Sequence, residues 1–177
     1  MPLAIPDYQE FLTPEELHES SVHLVEEFPQ LAQLREIGTS TEGRPIELLT
    51  IGNGPKAALF IGAPHPNEPI GTLTLDFLSR LLCERQDLRK QLGYTFLIVK
   101  VSDPDGLTLN AGWLKEKFSP LTYALNYYRP PQDEQVEWGF PIHYETLRFT
   151  TPPAETQAVM QLMEQYQIGR ASCRERV

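Results

Sequence analysis

A histidine and a glutamate three residues apart, His65 and Glu68, follow an apolar run over residues 57–63. Zinc accepts imidazole nitrogen and carboxylate oxygen, and a catalytic zinc usually has three protein ligands and one position open for water. Because the apolar run has the length and composition of a buried strand, both side chains are expected where a strand ends. The spacing is therefore that of half of a zinc site, with His65 and Glu68 as metal ligands, or of a structural pair at a helix start, with Glu68 complementing the helix dipole and His65 bonded to backbone.

The elements that would position this pair are predicted from capping signals, turn residues and hydrophobic spacing. Thr13-Pro14-Glu15-Glu16 has the form of a capping box, with proline at the first helical position. Continuous apolar runs indicate strands covered on both faces, and apolar residues three and four apart indicate helices. The predicted elements are helix 14–27, a hairpin of strands 34–39 and 46–51, a central strand 57–63, helix 68–84, strand 94–101 and a helix that begins at 151–156.

This order of strands and helices predicts an α/β fold with a mixed central sheet flanked by helices. Residues 107–151 lack sustained periodicity and are rich in aromatic, proline and polar residues. Long irregular segments of this kind are usually functional, so this one is expected to border a pocket.

Composition excludes several classes of partner. The chain has 177 residues and a formal net charge of −9, which disfavours binding to nucleic acid or to an anionic membrane surface. It contains two cysteines, Cys83 and Cys173, in no Cys-x-x-Cys arrangement, and no export signal is visible. A cytoplasmic location is expected, and no specific protein partner is indicated.

The last ten residues differ in composition from the acidic segment before them. Residues 168–177 contain three arginines and resemble the translation of a sequencing adapter. They are interpreted as a non-native read-through tail and excluded from the fold. Residues 1–167 are then expected to form the N-terminal part of a single, C-terminally truncated domain.

Several short motifs occur in a characteristic order, and together they resemble the carboxypeptidase A-like zinc metallocarboxypeptidases from about Leu34 to Tyr166. The family typically has a Gly-Arg-Pro-Ile-like segment, a His-x-x-Glu zinc pair, an Asn-Pro-Asp-Gly turn, an Asn-Arg pair and a Pro-Glu-Thr-like helix start. The matching segments here are Glu42-Gly43-Arg44-Pro45-Ile46, His65-Pro66-Asn67-Glu68, Asp103-Pro104-Asp105-Gly106, Asn126-Tyr127-Tyr128-Arg129 and Pro153-Ala154-Glu155-Thr156-Gln157.

The resemblance implies a zinc-dependent peptidase that acts on peptide substrates. It assigns His65 and Glu68 to the metal, and Asn126 and Arg129 to substrate binding. The family's third ligand is a histidine on a strand after the Pro-Glu-Thr helix, and His143 precedes that helix. His143 is therefore interpreted as a surface or loop residue, and His18 and His23 as residues on a helix face.

The family mechanism uses zinc-polarised water, a glutamate near the end of the fold as general base, and arginines that stabilise the oxyanion and the substrate carboxylate. No glutamate here fits the place of that base, so it is expected beyond the C-terminus and the truncated chain is expected to be inactive. The downstream glutamates are interpreted as solvated or helix-start residues: Glu134, Glu137, Glu145 and Glu155.

Two departures from the family pattern concern arginine. Asn126 and Arg129 are separated by two tyrosines, and Leu114 stands where the family commonly has an oxyanion arginine. Because a guanidinium binds a carboxylate in a fixed bidentate geometry, the shift bears on substrate specificity.

Two alternative functions stay open. One is a zinc-dependent N-acyl amino acid deacylase of the aspartoacylase and desuccinylase kind, against which the Asp-Pro-Asp-Gly turn argues. The other is a non-catalytic α/β binding module. Whichever function holds, a truncated sheet is expected to expose a strand edge and apolar surface.

Overall fold

The computed structural model describes residues 5–136 and 140–169, and it has the predicted α/β architecture. No helix in these ranges is both long enough and apolar enough to cross a bilayer. The elements are α1 (Pro14–Glu27), β1 (Ala32–Thr39), β2 (Pro45–Ile51), β3 (Lys56–Ile61), α2 (Ile70–Glu84), α3 (Gln86–Leu92), β4 (Tyr94–Val99), α4 (Pro104–Leu109), α5 (Ala111–Leu114), α6 (Pro120–Asn126), a 3-10 turn (Gln132–Glu134), β5 (Ile142–Tyr144), β6 (Leu147–Phe149) and α7 (Ala154–Gln165).

The main sheet has four strands in the order β1-β2-β4-β3. The pairs β1–β2 and β2–β4 are antiparallel, while β3 and β4 run parallel. The predicted hairpin is therefore present, and the sheet is mixed as expected. The short strands β5 and β6 form a separate hairpin.

The prediction that the run 57–63 forms a central strand is wrong. Within the described part of the chain, β3 pairs with β4 alone and lies at the edge of the sheet. Its side chains are only partly buried, and Ile61 is 37% exposed. An apolar run indicates that the faces of a strand are covered, but it does not report how many strands flank it. The expectation of an exposed strand edge agrees with this position.

Two apolar clusters cover the two faces of the sheet. Alternate residues of β2 and β4 point to opposite faces, as the pleat requires. The cluster facing α1 and α2 contains Leu24, Ala32, Leu49, Ile51, Leu75, Leu82, Cys83, Phe96 and Ile98. The cluster facing α7 contains Ile46, Leu48, Leu97, Val99, Ala158 and Leu162.

Helix α1 has the predicted bounds because both halves of its capping box form. The Thr13 hydroxyl accepts from the Glu16 amide, and the Glu16 carboxylate accepts from the Thr13 amide at 2.8 Å. Helix α2 begins at Ile70 rather than at Glu68, so both members of the His/Glu pair precede it. The segment 107–151, predicted to be irregular, contains several short helices and a hairpin.

A buried ion pair joins the end of β4 to the helices above it. The Lys100 ammonium lies 2.8 Å from Asp76 of α2, and Ser20 of α1 donates to the same carboxylate oxygen at 2.6 Å. Burial lowers the pKa of Lys100, and the Asp76 charge opposes that shift. The pair fixes the strand that leads into the Asp-Pro-Asp-Gly turn.

Cys83 is expected to react very slowly with alkylating reagents in the folded protein. Its side chain is 4% exposed, and burial raises the pKa of the thiol to about 11, so little reactive thiolate forms at pH 8. A Cys173→Ser chain retains Cys83 as its one cysteine. It should react slowly with iodoacetamide in buffer and rapidly in about 6 M guanidinium, which unfolds even hyperstable domains.

The same shift predicts a pH dependence of stability. Because the folded state retains the thiol proton to higher pH than the unfolded state, the free energy of unfolding should fall as the pH rises from about 9 towards 11. Denaturant titrations of the Cys173→Ser chain and of a Cys83→Ala/Cys173→Ser chain check this. Equal slopes against pH in the two chains would contradict the assignment to Cys83.

Candidate metal centre

Both predicted motif loops begin at the carboxyl ends of neighbouring strands, on the same side of the sheet. Since β3 and β4 are parallel, the loops that follow Ile61 and Val99 leave side by side. Gly62 donates to the Val99 carbonyl at 2.8 Å, and its own carbonyl accepts from the amide and hydroxyl of Ser102, each at 2.9 Å. These bonds place the His/Glu loop directly against the Asp-Pro-Asp-Gly turn.

The chain turns sharply between β3 and His65. Ala63 is fully buried and has φ of 48°, in the left-handed region that residues with a side chain seldom adopt. Such a conformation costs on the order of 1 kcal/mol and persists where the surrounding structure enforces it. The strained residue lies two positions before the histidine that the sequence assigns to a metal.

A single backbone turn brings His65 and Glu68 together. The Glu68 amide donates to the His65 carbonyl at 3.0 Å, with Pro66 at the second position, where its fixed φ favours a turn. His65 Nδ1 lies 3.3 Å from Glu68 Oε2. The imidazole is buried, with 7% of its side chain exposed, whereas the carboxylate is 56% exposed. The buried ring and the more accessible carboxylate therefore face each other.

The separation of these two atoms suits a shared zinc ion. Two donors on one tetrahedral zinc, each about 2.1 Å from it, lie about 3.4 Å apart. In the same turn, Asn67 Oδ1 is buried and accepts no hydrogen bond from the described residues. Among residues 5–136 and 140–169, no group of three or more metal-binding side chains occurs. The described residues thus fit two zinc ligands.

The Asp-Pro-Asp-Gly turn packs directly against the His/Glu loop. Asp103 caps α4 by accepting from the Gly106 amide at 2.8 Å. A Cβ atom at Gly106 would lie 2.5 Å from Pro66 Cγ and 2.4 Å from Asp103 Oδ2. Glycine is therefore the residue that lets the two motif loops approach this closely.

The Gly-Arg-Pro-Ile-like segment binds the other carboxylate of that turn. Asp105 Oδ1 accepts from Arg44 Nη1 and from the Ser40 hydroxyl, both at 2.7 Å, while its Oδ2 accepts from the Glu42 amide at 2.8 Å. Three of the motifs named in the sequence therefore form one connected assembly. Arg44 and Asp105 act within it as structural partners.

Arg129 reaches the His/Glu pair, and Asn126 does not. Arg129 Nη1 donates to Glu68 Oε1 at 3.3 Å, and Nη2 donates to Gln135 Oε1 at 3.2 Å. Asn126 instead donates back to the Thr122 carbonyl within α6 at 2.8 Å, and its Oδ1 lies against Gly112. The assignment of both residues to substrate binding stays a prediction.

The segment around Leu114 carries no cation towards the site. Leu114 is 2% exposed and belongs to a small core with Leu17, Leu107 and Trp113. The next residue, Lys115, binds Glu10 and Glu16 at 2.7 and 2.9 Å. Leu114 is therefore a core residue, and its correspondence to the family's oxyanion arginine stays a prediction.

Asn110 is a positioning residue that sequence reasoning missed. It is fully buried, and its amide group makes four hydrogen bonds: it donates to the carbonyls of Gly106 and Tyr128, and it accepts from the Trp113 indole and the Tyr128 amide. It therefore fixes the backbone immediately before Arg129. Its position four residues after the end of the predicted Asp-Pro-Asp-Gly turn carried no distinctive signal.

The remaining histidines lie away from His65. His18 contacts Glu47 at 2.9 Å, and His23 lies near Glu26 at 3.5 Å on the exposed side of α1. His143 is exposed on β5, in agreement with its interpretation as a surface residue. The described structure brings none of the three to the predicted metal centre.

Glu155 lies in the first turn of α7, as its interpretation as a helix-start residue predicts, but its side chain is buried rather than solvated. It is 6% exposed, because Oε1 accepts from the Thr41 amide at 2.8 Å and Oε2 from the Thr41 hydroxyl. This pairing fixes α7 to the loop between β1 and β2. Glu134 and Glu145 are exposed as expected, and Glu137 lies outside the described residues.

An acidic cavity of about 530 Å³ lies beside the turn, lined in part by Asp103, Asp105, Tyr128, Glu134 and Glu155. Burial, followed by the charge of Asp103, raises the pKa of the Tyr128 phenol. The tyrosine therefore stays protonated through the neutral range.

The chain belongs to the zinc carboxypeptidase family, whose model matches residues 17–171. This match confirms the resemblance drawn from the motifs. Residues 170–177 lie outside the described structure, so a boundary at residue 167 stays a prediction.

Several solved structures share the fold. Bovine thrombin-activatable fibrinolysis inhibitor, in complex with tick carboxypeptidase inhibitor, superposes with a TM-score of 0.65 at 15% identity, over 90% of this chain and 58% of its own. Carboxypeptidase A from Helicoverpa armigera gives 0.60 at 19% identity, with 88% and 43% covered. The metallo-carboxypeptidase from Burkholderia cenocepacia gives 0.56 at 24%, with 87% and 38% covered. The chain thus spans less than two thirds of the length of each.

Proposed function

We propose that the protein to which this chain belongs is a zinc-dependent peptidase, in which His65 and Glu68 are two of the zinc ligands. The observation that carries the proposal is the 3.3 Å separation of His65 Nδ1 and Glu68 Oε2 at the end of β3, in a chain of the zinc carboxypeptidase family. In this structure the two atoms are within hydrogen-bonding distance, and the same separation, about 3.4 Å, is compatible with two ligands of one tetrahedral zinc.

The zinc would supply the polarisation of a water molecule and of the peptide carbonyl. The residues of this chain have separate tasks. The buried turn holds the His65 ring with Nδ1 towards Glu68, and the packing of Pro66 against Gly106 keeps that turn in place. Arg129, at the rim, would bind a substrate carboxylate once it leaves Glu68, since a guanidinium pairs with that group in bidentate geometry.

We further propose that the substrate is a peptide, that the protein is cytoplasmic, and that residues 168–177 are a non-native tail. The described residues contribute two zinc donors and no third from the usual ligand types. We therefore expect residues 1–177 alone to bind zinc more weakly than a complete site and to show no appreciable peptide hydrolysis, because affinity and turnover both depend on a complete ligand set.

Cobalt substitution tests the proposed metal site without relying on activity. We expect Co²⁺ to bind with one-to-one stoichiometry and to give visible absorption bands distinct from those of the hydrated ion, because imidazole and carboxylate replace water. Zinc should displace the cobalt stoichiometrically, and Mg²⁺ should not, since Mg²⁺ prefers all-oxygen octahedral sites.

An unchanged hydrated-ion spectrum in the presence of excess folded protein would overturn the proposal. That result would favour the non-catalytic binding module, in which the His/Glu turn has a purely structural role. A Glu68→Gln chain is the matched comparison, because it retains the shape of the turn and removes the anionic ligand.

A further inference from the structure

The carboxylate of Glu68 faces two different groups at once. One oxygen lies 3.3 Å from His65 Nδ1, and the other accepts from Arg129 at 3.3 Å. Arg129 is 31% exposed and Glu68 56% exposed, so this ion pair lies at the rim of the site and is accessible to solvent. The guanidinium therefore already neutralises the carboxylate that a metal would use.

Arg129 is held near this position from both sides. The Tyr128 backbone is fixed by two hydrogen bonds to the buried Asn110, of 3.1 and 2.8 Å. On the other side, Gln135 is 7% exposed; it accepts from Arg129 Nη2 and donates to the Pro130 carbonyl at 2.9 Å. With its backbone and one nitrogen anchored, the guanidinium can leave Glu68 only by a local side-chain rotation and stays close to the site.

A divalent cation on the His65–Glu68 pair and the guanidinium on Glu68 repel each other. Their charges have the same sign and would be separated by roughly 4–6 Å, a distance at which charges interact appreciably even near a protein surface. A metal ion also withdraws negative charge from the carboxylate, which weakens the remaining hydrogen bond from Arg129. Occupation of Glu68 by one cation thus disfavours the other.

We propose that Arg129 competes with the metal for Glu68, and that metal binding releases Arg129 to bind a carboxylate ligand. The proposal rests on the proposed function, because it takes His65 and Glu68 as the metal ligands. It makes metal binding and carboxylate binding mutually reinforcing: the metal frees the guanidinium, and an anion that engages the guanidinium frees Glu68. By thermodynamic linkage the two effects must be equal in size.

Calorimetric titration of the 177-residue chain with Zn²⁺ alone tests the competition. The Arg129→Gln chain should bind zinc about 5-fold more tightly than the unaltered chain, the range expected for removing one partly exposed ion pair and a repulsive charge. The Arg129→Lys chain, which keeps the charge without the fork of two nitrogens, should lie between them. Arg85→Gln is the matched control, since Arg85 forms an exposed ion pair with Asp87 at the far end of α2 and should leave zinc affinity unchanged.

Acetate tests the coupling. Chloride is replaced by acetate at constant ionic strength. Relative to the Arg129→Gln chain, zinc affinity should rise in the unaltered and Arg85→Gln chains. The Arg129→Gln chain lacks the guanidinium and therefore reports only the direct effect of acetate on zinc. Equal zinc affinity in the unaltered and Arg129→Gln chains, or an equal acetate effect in both, would overturn the proposal.

A His65→Ala chain separates the two possible failures. If His65→Ala abolishes zinc binding while Arg129→Gln leaves it unchanged, the competition is wrong and the metal site stands. If His65→Ala binds zinc as well as the unaltered chain, the metal site itself is wrong. Thermal melting of each chain verifies that the altered proteins remain folded.

Discussion

Replacing His65 with alanine is expected to weaken zinc binding by about 100-fold or more, the largest effect predicted for any single side chain of this protein. The substitution removes the one neutral nitrogen donor of the His/Glu turn, which lies 3.3 Å from Glu68 Oε2. Loss of a direct ligand exceeds the roughly 10- to 100-fold cost of losing a residue that only orients a ligand. Competition with a chromogenic chelator measures the change.

The control for adventitious zinc binding is His23→Ala. The His23 side chain is 73% exposed on α1, where it could bind zinc weakly without forming a site. We expect its removal to leave affinity and stoichiometry unchanged. If the two alanine chains bind zinc equally, surface histidines rather than the turn account for the binding, and the metal centre is wrong.

The second large effect is expected at Gly106. An alanine Cβ there would approach Pro66 Cγ to 2.5 Å and Asp103 Oδ2 to 2.4 Å, so the two motif loops must separate or the Asp103 cap must break. Overpacking and cap loss each cost roughly 1–2 kcal/mol, whereas the better helix propensity of alanine returns at most about 1 kcal/mol. We expect the free energy of unfolding to fall by about 2 kcal/mol, measured by urea denaturation.

Gly71→Ala provides the matched comparison for this substitution. Gly71 lies in the first turn of α2, and a Cβ atom there would meet its nearest neighbour, the Ala63 nitrogen, at an ordinary 3.7 Å. This substitution should be neutral or stabilising by up to about 1 kcal/mol. Zinc affinity should fall in Gly106→Ala, because Pro66 lies between the two ligands, and should not fall in Gly71→Ala. Similar stabilities of the two chains would contradict the role assigned to Gly106.

The connections between motifs were only partly predictable. The order of the Gly-Arg-Pro-Ile-like segment and the Asp-Pro-Asp-Gly turn identified the family, but the 2.7 Å pair of Arg44 with Asp105 was not expected. Residue spacing contains no information about which charge 61 positions away will be a partner. The same limit explains Glu155, whose buried bonds to Thr41 span 114 positions.

The position of β3 illustrates a different limit. Its apolar residues correctly indicated a strand, although its side chains are only partly buried, while its place at the sheet edge depends on hydrogen bonding in the plane of the sheet. Backbone amides and carbonyls are the same in every residue type, so the side chains do not record how many neighbours a strand has. For β3 the element type could be predicted, and its place in the strand order could not.

The sequence by itself determined the features that arise within a few residues of each other. These are the capping box of α1, the alternating faces of β2 and β4, and the proline-containing turn that brings His65 to Glu68. Local dihedral preferences and side-chain periodicity are sufficient for all three, because the interacting groups are close neighbours along the chain.

Only the tertiary structure determined which residues surround that turn. It placed Arg129 on Glu68, fixed the preceding backbone through Asn110, set Pro66 against Gly106 and left β3 at the edge of the sheet. Each of these contacts joins segments that are distant in sequence, and it forms only when the packing of the whole sheet and its helices brings them together.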